Sequence, residues 1–197
     1  MNRLQGLKGN LKREDSSVRG ADEFGRKGPQ FLTMTRADFA AYEYLCRQAE
    51  AKEWIENILA EKLEENDLWK SLGNGVVLCK LVNAIWPGTI TKFNGPGSFS
   101  FKLIENIDLF LKACIEKGMS KEDLFSPLDL FEKKNMPLVL NSVYKLAEKV
   151  VKEGFTIKWK KIQNLEFSPK EIQEAKKLEG VNLWENKGNK SKNISEV

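Results

Sequence analysis

The sequence contains no histidine. That absence removes the Ser-His-Asp and Cys-His nucleophile arrangements, the HExxH zinc site and any histidine pH switch. Only carboxylate or lysine chemistry, or a phosphate loop, would be left to an enzyme. Cysteine is scarce: Cys46, Cys79 and Cys114 are odd in number, widely spaced and without a CxxC pair, so a zinc knuckle or thioredoxin-type motif is unavailable. Each sits in an apolar stretch, where a thiol behaves as a small hydrophobe. Three buried, reduced thiols are expected, as suits a cytoplasmic protein. Long apolar runs are also missing. The longest, such as Val76–Cys79, reach about four residues, far short of the ~20 that span a bilayer. The opening MNRLQGLKGNLKRED lacks the apolar segment of a secretory signal. GNGVVL lacks the third glycine of a dinucleotide fingerprint, and no GxxxxGK-Ser/Thr phosphate loop occurs. No catalytic site, cofactor or metal is expected.

What is present suffices for one domain of ordinary size with extensions: 197 residues, 41% apolar and 30% charged. The 32 basic and 28 acidic residues are unevenly spread. Residues 1–36 hold 8 basic and 4 acidic groups, residues 37–150 hold 14 and 17, and residues 151–197 hold 10 and 7. A mildly acidic body with two basic ends argues against a dedicated nucleic-acid domain, which concentrates its cations on the folded body. Basic extensions suit an acidic partner surface, or serve only as solubilising tails.

Periodicity points to helices throughout. Residues 1–35, rich in glycine and poor in spaced apolar residues, are expected to form a flexible basic arm. From Arg36 to about Leu63, Tyr44, Leu45, Ala51, Trp54, Ile55, Ile58 and Leu59 recur at steps of three and four, with Glu50, Glu53, Glu56 and Asn57 on the other face. Asn66-Asp67 can cap the next stretch, in which Gly73 and Gly75 predict a short turn and then a stronger helix burying Leu78, Leu81, Val82 and Ile85. PGTITKFNGPGS is a loop. Phe101, Ile104, Ile107, Phe110 or Leu111, Cys114 and Ile115 outline a third helix that stops at Gly118. Ser126-Pro127 opens a short turn, and Asn135 caps a last core helix with Pro137 in its first turn and Gly154 at its end. Ser168-Pro-Lys-Glu171 is a capping box for a further short helix ending at Gly180. With no strand pairs, the reading is an all-α body over residues 36–154, an extension over 155–182 and a disordered tail over 183–197.

Trp54, LGNGVVLCKLVNAI (72–85), ENIDLFLKACIEKGM (105–119) and DLFEKKNMPLVLNSVYKLA (129–147) follow one another as they do in a calponin homology domain, which the sequence resembles over about 110 residues. It is similar in particular to the single such domain at the N-terminus of IQGAP-type scaffolds, through YEYLCRQAEAKEWIE (42–56), KKNMP (133–137) and SPKEIQEAKKLEG. It departs from the pattern at Asn74, where most members are acidic, and in the ENI of the third helix, where that subgroup carries a histidine. The resemblance implies a compact helical domain without a catalytic site, monomeric when isolated. It also implies F-actin as the leading partner, with tubulin or the regulatory domains of Rho-family GTPase regulators as alternatives. The signature residues Trp54, Leu78, Leu81, Phe110 and Leu146 lie on apolar stripes and are expected in the core.

The family's two actin-contacting surfaces, the outer face of the first helix and the last core helix with its preceding turn, map to residues 44–59 and 127–151. On the latter, Asn141, Lys145, Lys149 and Lys152 form a row at spacings of four and three, with Lys133 and Lys134 just before it. Such a row offers salt-screened contacts to an acidic filament, or is an ordinary solvated face whose lysines complement the helix dipole. The first helix presents acids, Glu50, Glu53 and Glu56, which suit an acidic partner poorly. KWKK (158–161) is a further candidate, equally readable as a turn with Trp159 packed on the body.

Overall fold

In the computed structural model, which describes residues 34–63, 67–162 and 165–178, the chain turns helical at Thr35. The Thr35 hydroxyl accepts from the Asp38 N–H at 3.2 Å while the Asp38 carboxylate accepts from the Thr35 N–H at 3.1 Å. This reciprocal cap satisfies two donors that the helix itself cannot. It launches α1, Arg36–Leu59. There follow α2 (Leu68–Leu72), α3 (Val76–Ile85), α4 (Ser100–Glu116), a 3-10 turn (Lys121–Asp123), α5 (Pro127–Phe131), α6 (Met136–Lys152) and α7 (Pro169–Lys176). Among the described residues there is no strand. The expected tail over 183–197, the Gly180 stop, Asn66 and all but the last two residues of the expected arm lie outside the described residues.

The glycine pair divides α2 from α3 for a steric reason. Gly75 has φ +72°, and a Cβ there would lie 2.6 Å from Asn106 Cβ and 2.8 Å from the Ile107 nitrogen. Only glycine lets the start of α3 press so closely on α4. Asn106, fully buried, is the hub of this contact: its amide donates to the carbonyls of Asn74 (3.0 Å) and Asn94 (2.9 Å) and its oxygen accepts from the Asn94 N–H (2.8 Å). One side chain thus ties the α2–α3 turn, the loop before α4 and α4 together.

α3 packs on α4 and on α1, and α1 on α6. Trp54, Leu78, Leu81, Phe110 and Leu146 are each at most 1% exposed at the centre of this arrangement. Each leucine contributes about 1.5–3 kcal/mol of burial. The three thiols are buried and none is in a disulfide; Cys79 donates to the Asn106 carbonyl at 3.3 Å, and burial raises Cys79 and Cys114 to about 12, which leaves both inert. The expected stripe of α4 is shorter than its periodicity suggests. Ile107, Phe110, Leu111 and Cys114 are buried, but Phe101 is 65% and Ile115 38% exposed. Phe101 lies in the first turn of α4 and stacks instead on the exposed Phe99, their rings 6.0 Å apart and 6° from parallel.

Candidate functional site

The end of α6 sets up everything that follows it. Gly154 (φ +93°) lets the Phe155 N–H return to the Val150 carbonyl at 2.9 Å and its own N–H to the Val151 carbonyl at 3.1 Å. This helix stop satisfies two free carbonyls and turns the chain sharply. The extension then crosses α1 in reverse order. The Trp54 indole N–H donates to the Ile157 carbonyl at 3.2 Å, the Tyr42 hydroxyl to the Leu165 carbonyl at 3.0 Å, and Lys176 reaches the Asp38 carboxylate at 2.7 Å. Phe167 meets Tyr42 edge-on at 5.5 Å, and α7, capped by Ser168 and Glu171, packs along α1.

The acidic outer face expected on α1 is therefore corrected. Glu50 is 3% exposed: it accepts from the Trp159 indole N–H at 3.0 Å and the Ile162 N–H at 3.1 Å. Glu56 is also buried. Burial pushes its carboxyl up, but bonds from Lys62 Nζ at 2.6 Å and the Leu63 N–H at 3.0 Å outweigh this and hold it below the usual range. Glu53 is half-buried. Glu50 and Glu56 are thus internal acceptors that fasten the extension and the end of α1. In the KWKK segment, Trp159 packs on the body, 6.0 Å from the Trp54 ring and 5.3 Å from the Tyr144 ring.

α6 keeps its outer side open. Its apolar stripe (Val139, Leu140, Val143, Leu146, Ala147, Val150) is buried, leaving Asn141, Lys145 and Lys149 half-exposed and Lys152 exposed. Lys145, Lys149 and Lys152 come together on one cleft of about 430 Å³, with Gly118, Met119, Ser120 and Asp123 on its far wall. Lys133 and Lys134 do not join them. They stand before the helix N-terminus, where Lys133 bonds Asp67 at 3.0 Å and lies 4.9 Å from the Trp69 ring centre, while Lys134 pairs with Glu132 at 2.5 Å.

The row is not bare cation. Lys145 bonds Glu148 at 2.8 Å, and Lys149 bonds Glu153 at 2.8 Å. The bond from Glu148 raises the Lys145 ammonium further above its ordinary value. Burial pushes the Glu148 carboxyl up, but Lys145 overrides it and holds it low. Both pairs stand at spacings of three and four, a signal visible in the sequence itself. Ion pairs on a helix surface such as these contribute little to stability.

The family model described as "Calponin homology (CH) domain" matches residues 45–152. The chain is 39% identical over 118 residues to the Rac guanine nucleotide exchange factor B of Dictyostelium discoideum, covering 60% of this chain and 10% of that protein. It is 42% identical over 102 residues to myophilin of Echinococcus granulosus, covering 51% of this chain and 54% of the relative. The chain thus spans between a tenth and little more than half of these relatives. Among solved structures, the calponin-homology domain of Rng2 from Schizosaccharomyces pombe matches with TM-score 0.66 and 31% identity, covering 72% of this chain and 90% of that one. The calponin-homology domain of an IQGAP protein from the same organism matches with TM-score 0.65 and 31% identity over the same shares. The likeness to the IQGAP-type domain seen in the sequence is thus found in three dimensions as well. Capped helices, core and relatives agree: this chain belongs to the calponin homology domain family.

Proposed function

We propose that the domain is an actin-filament-binding module of a cytoskeletal regulator, acting by binding rather than catalysis and placing its protein on the cytoskeleton. It grips the filament through Lys133, Lys134, Asn141, Lys145, Lys149 and Lys152. The observation that carries this is the contrast between two helices. Of the two surfaces the resemblance implies, α1 lies under the extension, whereas α6 leaves its lysines accessible. An acidic polymer approaching α6 draws the lysines out of their local pairs, because repeated charges on a filament present a field that a single glutamate does not. The contacts are individually weak, so binding is weak and falls with salt.

Cosedimentation with F-actin and with microtubules, in separate tubes at two salt concentrations, tests the reading. Pelleting with actin that declines as salt rises is expected, and preferential pelleting with microtubules would replace actin by tubulin. Failure to pellet with either polymer would refute it. A second reading, an adaptor or autoinhibitory module in a Rho-family GTPase regulator, draws on the similarity to a Rac exchange factor. There the same face docks on neighbouring domains of the regulator.

A further inference from the structure

A second concavity lies beside the lysine cleft, where the extension leaves α6. Tyr144, Ala147 and Val151 of α6 and Trp159 of the extension form the apolar floor of a groove of about 320 Å³. Lys152, Lys158 and Lys161 stand on its rim with exposed side chains. Glu148, a carboxylate among its lining residues, bonds Lys145 at 2.8 Å and also feels the charge of Lys152, so the lining carries three rim lysines to one acid. The groove is built before any ligand arrives. The Trp159 indole is fixed by its bond to buried Glu50 at 3.0 Å and by edge contact with Tyr144 at 5.3 Å, 88° between rings. A rigid floor reduces the ordering that binding must impose.

From this charge pattern we infer that the groove docks a short acidic peptide segment of a partner protein, one large apolar side chain seated on Trp159 and Val151 and flanking carboxylates on the rim lysines. Its volume lies at the low end of ligand pockets, roughly 300–1,000 Å³, and suits one or two side chains rather than a helix face. A concave floor also favours a peptide over an anionic membrane, whose flat surface would leave Trp159 uncovered. The inference stands whether or not the domain binds filaments, for only Lys152 is shared with the filament surface.

Fluorescence anisotropy on the full chain tests it, with a labelled Glu-Asp-Glu-Leu-Phe-Asp-Glu-Asp peptide as the probe. Saturable binding is expected. It should weaken by about tenfold or more when Leu-Phe becomes Ser-Ser, and by a similar factor in Lys158→Glu/Lys161→Glu. Val151→Asp should abolish it. Because Val151 is half-buried, circular dichroism should accompany that variant, while the exposed lysine pair keeps the test independent of folding. Lys133→Glu/Lys134→Glu, beyond the opposite end of α6, should leave peptide binding as it is. No binding, equal binding of the Ser-Ser peptide, or binding indifferent to Lys158 and Lys161 would overturn the proposal. So would pelleting with phosphatidylserine vesicles in the absence of peptide binding.

Discussion

Glu50 on α1 and Glu148 on α6 are glutamates at outward positions of two long helices. Glu50 is 3% exposed and fastened to a tryptophan 109 residues away. The Glu148 side chain is 37% exposed and bonded to a lysine three residues away. The difference comes from what the chain does after Gly154. It returns over α1 and brings N–H donors to Glu50, whereas past α6 it leaves a cleft and a groove. The lesson is that a charged helix face is a surface only if no later segment supplies partners for it. One face has become an internal seam and the other remains free for contact.

The largest disturbance to this arrangement is Trp54→Ala. It removes a ring 1% exposed between α1 and the extension, and loses the bond to Ile157 as well. A loss of about 3–5 kcal/mol is expected from burial plus cavity, much of a domain's ~5–15 kcal/mol, readable as an earlier urea midpoint. Next comes Glu50→Ala, which strands the Trp159 and Ile162 donors at about 1–3 kcal/mol. Its signature is regional. Amide exchange should accelerate over residues 155–162 while α3 and α4 keep their protection, and uniform acceleration would show that no separate seam exists.

Acid offers a gentler way to open the seam. The bond from Lys176, and then that from Thr35, holds the Asp38 carboxyl below its ordinary value. A lowered carboxylate stabilises fully above its unfolded value of about 3.9 and loses that contribution as pH falls through the folded one. Stability should therefore decline below about pH 4, and Asp38→Asn should flatten that decline by about 1 kcal/mol or less, measured by thermal melts across the acid range. The smallest effect is expected on α6. Lys145→Ala/Lys149→Ala breaks two exposed pairs and should change stability by less than about 1 kcal/mol. A larger loss would mean that these lysines hold the fold together.

Local signals made most of the fold legible. Ser168 with Glu171, Asn135 with Pro137, and Ser126-Pro127 mark the starts of α7, α6 and α5 because caps act within one turn. Gly75 announced the break between α2 and α3. The fate of Glu50 and Glu56 was not legible. A carboxylate's letter says polar, and the donors that permit its burial come from a distant segment in one case and a loop in the other. Phe101 failed for the opposite reason, since helical spacing sets the direction of a side chain but not whether anything stands opposite it. On the candidate surface the lysine row could be read directly. Its pairing with Glu148 and Glu153 was equally present in the spacing. The cleft and groove needed the path of the extension, which no periodicity encodes.

On the proposed function, the open face of α6, and not the covered face of α1, meets an acidic filament. Cosedimentation of Lys145→Glu/Lys149→Glu with F-actin at low salt tests it most directly, alongside the unaltered protein. Reversing both charges beside Glu148 and Glu153 turns the cleft acidic, so pelleting should fall by about tenfold or more in apparent affinity, with the circular dichroism spectrum preserved. Pelleting equal to that of the unaltered protein would contradict the claim and move the contact off α6.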